Sequence, residues 1–235
     1  MTNFLPRGRG SIPKELMAFG KHLVYMEGTA TEPLYVKDIK GNIARKYNCN
    51  INDIDIIPAS DKNKTYHTVE LVKYAKRDVN NRLKKGEQIN HVWIFFDKDS
   101  FTDFNDAHKL IIKQNNSKDK NQEGFSYNKE TEISWHSCWS NECFELWLWL
   151  YYDYTESALS RDNYKEKLEK QKELKAIGFI YEKNLENIHS LLSSHGGDVR
   201  RAIRNAKKLE EGNGQNNPST GVYLFMEYFL PYMVE

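Results

Sequence analysis

Residues 92–96, VWIFF, form an unbroken apolar run that stops on Asp97-Lys98-Asp99. Apolar continuity without alternation is the pattern of a strand covered on both faces. A second short run, HLVYM at 22–26, stops at Glu27-Gly28, and Thr31-Glu32-Pro33 then carries the cap residue and early proline of a helix start. Leu34, Ile39, Ile43 and Tyr47 give that helix an apolar side, and 54–58 reads as a further short strand. Val72, Ala75, Val79 and Leu83 recur at three- and four-residue steps and predict an amphipathic helix over 68–85. A helix near 103–114, a polar surface loop at 115–124 and a fourth β-type run near 132–135 follow. From Ser140 on the pattern is almost wholly helical, with a loop at 212–218 before the last helix. Strands alternating with helices predict an α/β fold with a mainly parallel sheet covered by helices on both faces.

Composition sets the organisation. At 235 residues, with 39% apolar positions, the chain has material for one sizeable core. Residues 1–20 hold Arg7, Gly8, Arg9, Gly10 and two prolines and read as a flexible basic arm. Residues 21–160 read as the α/β domain and 161–235 as a helical extension packed on the same core. With 34 basic against 33 acidic residues, a uniformly basic nucleic-acid coat is excluded, so any anionic partner meets a local patch. The most lipophilic stretch, FELWLWLYY, is about half a membrane span in length and contains Glu145. No membrane partner is expected. Three cysteines and an N-terminus without an apolar leader point to the cytoplasm. His136, Cys138 and Cys143 match no standard zinc spacing, and core thiols are the simpler account.

In open α/β sheets the functional crevice lies outside the carboxyl ends of the strands. Glu27 ends the first strand there, and Asp97 with Asp99 ends the third. Converging carboxylates repel one another unless a cation offsets the repulsion, and hard oxygen donors suit Mg²⁺ or Mn²⁺. The alternative places the two aspartates on an exposed turn that caps the next helix.

Glu-Gly after the first strand and Asp-x-Asp after the third, in βαβαβ order, resemble the Toprim domain of topoisomerases, primases and related nucleases. The whole chain after the arm resembles the RloB-like (AbiLii-type) family of Toprim proteins from bacterial phage-defence loci. The resemblance runs through MEGTATEPLY at 26–35, VWIFFDKDSF at 92–101, SNECFELWLWLYY at 140–152, residues 181–183, AIRNAKKL at 202–209 and NPSTGVYLFMEYFL at 217–230. Glu142 stands where the family has proline, and Tyr151-Tyr152 where it has histidine-phenylalanine.

The resemblance implies metal-dependent phosphodiester hydrolysis with Glu27, Asp97 and Asp99 as the acidic core, with Glu27 either a ligand or a proton carrier. Glu32, on the first helical turn, is either a ligand to a second metal or a helix-dipole carboxylate. Lys98 is expected to face away from the aspartates. Glu145 lies in a helix apolar nearly all round and needs a partner, either as part of the active site or in a structural ion pair. Ser140 or Asn141 is the expected cap of that helix, the alternative implied by the resemblance being that the pair presents polar groups to a phosphate. Arg200, Arg201, Arg204, Lys207 and Lys208 flank an apolar stripe, a cationic face that either grips phosphates or is simply solvated.

The expected function is a Mg²⁺- or Mn²⁺-dependent endonuclease acting on DNA or RNA, including tRNA, in abortive infection. The chain has no G-x-x-x-x-G-K-[ST] phosphate loop, and the resemblance implies control by an ATPase encoded nearby. The alternative is a non-catalytic regulatory subunit that binds nucleic acid or the ATPase.

Overall fold

The computed structural model describes residues 19–58, 60–61, 64–99, 102–116 and 133–234. The predicted arm lies almost wholly outside these residues, as do most of the predicted loop at 115–124 and residues 100 and 101.

The main sheet has five strands, β1 (His22–Met26), β2 (Ile54–Pro58), β5 (His91–Asp97), β6 (Ser134–Asn141) and β7 (Ser219–Thr220), in the order β2-β1-β5-β6-β7. All neighbours are parallel except β6 and β7. A separate two-stranded antiparallel ladder joins β3 (Ser60–Asp61) to β4 (Lys64–Thr65). The helices are α1 (Thr31–Tyr47), α2 (Thr68–Lys84), α3 (Phe104–Asn116), α4 (Glu145–Trp149), α5 (Arg161–Lys170), α6 (Lys172–Ala176), α7 (Ile188–Ser194), α8 (Val199–Asn213) and α9 (Val222–Phe229). None of the described helices is long and apolar enough to cross a membrane.

Successive strand residues point to opposite faces, and both faces of this sheet are buried. Leu23, Tyr25, Val92, Ile94 and Phe96 pack with Leu71, Val72, Ala75 and Val79 of α2 and with Phe104, Ala107 and Ile111 of α3. Val24, Met26, Trp93 and Phe95 join the opposite cluster with Tyr35, Val36, Ile39 and Ile43 of α1. Leu168, Leu174, Ala202, Leu209, Val222 and Phe225 belong to that same cluster, so the helices after 160 share a core with the sheet. Each fully buried Leu, Val or Phe contributes roughly 1.5–3 kcal/mol.

Three local expectations need correction. The fourth strand runs to Asn141, well past the β-type run expected at 132–135, because its polar positions find partners: His108 Nδ1 lies 3.0 Å from Ser137 Oγ, and Ser140 Oγ 3.4 Å from Thr220 Oγ1. Ser140 and Asn141 therefore pair with Thr220 and Ser219 and do not cap α4, whose cap position is Phe144 without a side-chain bond. Third, the region after Ser140 is less helical than its composition suggests, since α4 has only five residues and 150–160 and 177–187 are irregular.

Candidate active site

Strand register brings the acidic residues to one edge. Met26 pairs with Phe95 and Asp97 with Ser140, so Glu27 and Asp97 end adjacent strands, and the Glu27 N–H donates to the Phe95 carbonyl at 3.0 Å. Beyond the strand, Lys98 N–H donates to Ser140 O (2.8 Å) and Asp99 N–H to Glu142 O (3.1 Å). These bonds carry β5–β6 pairing through to Asp99, which lies in the left-handed region at φ 34°.

Glu27 is held from α2. His67 Nδ1 lies 2.9 Å from Glu27 Oε1, and the Thr68 N–H donates to Oε2 at 3.4 Å. Burial raises the Glu27 pKa and the Asp99 charge adds to the rise, while His67 and the Thr68 amide oppose it. A Cβ at Gly28 would run into the Glu32 carboxyl group, so a side chain there would displace that carboxyl. Glu32 is buried on the first turn of α1, and burial together with the Glu145 and Glu27 charges pushes its pKa up to about 7.

Asp97, Asp99 and Glu145 meet on Arg161, the first residue of α5. Arg161 Nη2 donates to Asp97 Oδ2 at 2.9 Å and to Asp99 Oδ1 at 3.1 Å, and its Nε donates to Glu145 Oε2 at 3.2 Å. Asp97 also accepts from the Phe144 N–H at 3.3 Å. Glu145, 2% exposed, takes a second donor from the Tyr181 hydroxyl at 2.9 Å. The buried glutamate thus has an arginine partner, and that arginine also bridges both aspartates. Burial, followed by the Glu32 and Glu145 charges, holds the Asp97 pKa well above the usual carboxylate range, with Arg161 pulling it down. Burial works against the Arg161 charge, but Glu145, Asp97 and Asp99 together raise its pKa further.

The structure brings Asp97, Asp99 and Glu145 onto one cation, sets Glu32 beside them, and ties Glu27 separately to His67. Sequence reasoning did not identify Arg161, His67 or Tyr181 as site residues. A buried glutamate in an apolar helix signalled that a partner existed; nothing in the charged stretch around Arg161 marked it as that partner. Cys143, buried near Glu145 and Asp97, has its thiol pKa pushed up, chiefly by burial.

The cationic face of α8 is largely engaged within the chain. Arg201 Nη1 donates to Tyr152 O at 2.9 Å, Arg204 lies 3.8 Å from Asp198, Lys207 pairs with Glu227 at 2.6 Å, and Lys208 Nζ stands 3.9 Å from the centroid of the Tyr154 ring.

Among the described residues no group of three or more His, Cys, Asp or Glu side chains is arranged to hold a metal ion. The donor chemistry nevertheless fits one: the set consists of carboxylate oxygens, the hard ligands Mg²⁺ and Mn²⁺ prefer, and three of them already converge on a cationic group.

No curated protein and no solved structure matches the chain. A family model described as RloB-like protein matches residues 22–229, from the first residue of β1 to the last of α9, and the chain belongs to the RloB-like family.

Proposed function

We propose that this chain is a Toprim-type, metal-dependent nuclease that hydrolyses nucleic-acid phosphodiester bonds, with Mg²⁺ or Mn²⁺ held by Asp97, Asp99, Glu27 and Glu32. One observation carries the reading. Three carboxylates, two from the end of β5 and one from α4, are gathered on a single cation at the carboxyl edge of a mainly parallel sheet, and Asp97 and Glu145 are buried. Desolvating charge is expensive, and a site that needs a cation gives a reason for the cost.

A bound divalent metal would supply an activated water and offset charge on the leaving oxygen. The chain's own residues prepare for that chemistry. Glu27, its pKa raised by burial and its Oε1 2.9 Å from His67 Nδ1, is placed either to hold the metal or to pass a proton. Tyr181 and Arg161 fix the orientation of Glu145, and the Phe144 amide fixes one oxygen of Asp97. A role in phage defence by abortive infection and gating by a partner ATPase are what the family resemblance implies, and the three free cysteines fit a reducing compartment such as the cytoplasm.

A second reading, a non-catalytic regulatory subunit, is favoured by the same guanidinium, which already neutralises much of the carboxylate charge without a metal. Incubating the protein with Mn²⁺ and, in parallel, duplex DNA, single-stranded DNA, messenger RNA and tRNA separates the two. The nuclease reading expects cleavage of at least one class that a chelator abolishes. No cleavage of any class, alone or with the partner ATPase, leaves the regulatory reading.

A further inference from the structure

Arg161 stands among carboxylates whose oxygen donors have the chemistry to hold a metal. A guanidinium is a planar fork whose donors project outward from its rim. Asp97 and Asp99 meet on one end of that fork, at Nη2, and Glu145 on its Nε, so the guanidinium supplies the positive charge that a metal would otherwise bring. Asp97, Asp99 and Glu145 are bound in this way, at 2.9, 3.1 and 3.2 Å.

We propose that Arg161 is an internal cation that competes with the divalent metal: its guanidinium closes the metal-free site, and metal loads as the guanidinium leaves Asp97 and Asp99. The inference rests on the metal-dependent reading above and adds a control to it. The local structure permits the exchange. Both aspartates share one terminal nitrogen, Nη2, so a single side-chain movement releases the pair. The side chain is 31% exposed, so the departing group has water to enter. Arg161 also opens α5 directly after the irregular stretch 150–160, which places it at an element end and not within a rigid span. Whatever repositions α5, a partner protein or a nucleic acid that offers phosphate in place of carboxylate, would change how readily the metal enters.

The test compares Mn²⁺ binding by wild type and Arg161→Gln, using calorimetry at the same pH, about 8, for both proteins. Loss of the competing charge should tighten Mn²⁺ binding by about tenfold or more, and the metal-free variant should melt below the wild type and recover on adding Mn²⁺. A second measurement needs no substitution: the Arg161 Nη–H resonances of isotope-labelled wild type should move on saturation with Mg²⁺, as Asp97 and Asp99 leave Nη2. Binding by the wild type with no gain in Arg161→Gln, or an Arg161 resonance unmoved at saturating Mg²⁺, overturns the inference alone. If neither protein binds Mn²⁺, the metal-dependent reading falls, and the inference with it.

Discussion

Lowering the pH from about 7 to about 5 should destabilise this fold through His22, at the end of the sheet opposite the carboxylates. His22 lies fully buried at the start of β1, stacked on His91 at a ring separation of 4.7 Å. Its two nitrogens have fixed roles, for Nε2–H donates to the Phe19 carbonyl at 2.8 Å while Nδ1 accepts from the Trp93 indole N–H at 3.1 Å. A proton on Nδ1 would face that donor, so the fold selects the neutral ring. Burial, then His91 and more weakly His136 and Lys21, lowers the pKa from 6.5 to about 3. A folded pKa below the unfolded one means that the unfolded chain binds more protons between the two values, so stability is intact above 6.5 and is lost as pH falls toward 3. At about 1.4 kcal/mol per unit, the loss from pH 7 to pH 5 is about 2 kcal/mol. Glu27, Glu32 and Asp97, held above their usual pKa, pull the other way by gaining protons in the folded state as pH falls. The wild-type curve alone therefore mixes both signs. Comparing urea unfolding of wild type and His22→Gln cancels the carboxylate contribution. His22→Gln should be less stable at pH 7, and its deficit should shrink by about 2 kcal/mol by pH 5, or about 4–8 °C in melting temperature. A deficit constant to within about 0.5 kcal/mol across that range would refute the reasoning.

Tyr181→Phe deletes one of the donors to buried Glu145 and should cost about 1–3 kcal/mol in urea unfolding without metal, because a charged acceptor loses a bond in a dry site; an unchanged midpoint would contradict this. The rise in melting temperature on adding Mn²⁺ should be larger at about pH 8 than at about pH 6, since Glu32, with its pKa pushed up to about 7, takes up a proton over that range that a metal must displace, and burial shifts Asp97 in the same direction. Equal rises at both values would count against metal ligation by these groups. Phe225→Ala, in a fully buried ring set with Trp93, Phe95 and Phe229, should cost about 3–5 kcal/mol. A loss below about 1 kcal/mol would mean that α9 is not part of the sheet's core.

Much of the fold could be read from hydrophobic period. The buried run at 92–96 and the three- and four-residue spacing of Val72, Ala75 and Val79 lie where expected because those residues have only core neighbours to satisfy. β6 was only partly legible. Its SWHSCWSN sequence looks polar until His108 and Thr220 supply partners from distant elements. The acidic half of the site was legible for a related reason, since carboxylates directly after apolar strands can only lie at strand ends. Its cationic half was not. Arg161 stands in the charged stretch SRDNYKEKLEK and reaches Asp97 across 64 residues, so only the tertiary fold distinguishes it from its solvated neighbours. His67 was hidden likewise, as a single exposed ring whose role comes from the approach of α2 to the end of β1.

Cleavage by the Asp97→Ala, Asp99→Ala double variant tests the central claim most directly. It is assayed with Mn²⁺ on whichever nucleic acid the wild type cuts, alongside its melting temperature. In this variant Arg161 keeps its bond to Glu145, so the fold should persist while cleavage drops on the order of a thousandfold. A double variant that is folded and cuts as fast as the wild type would contradict the account.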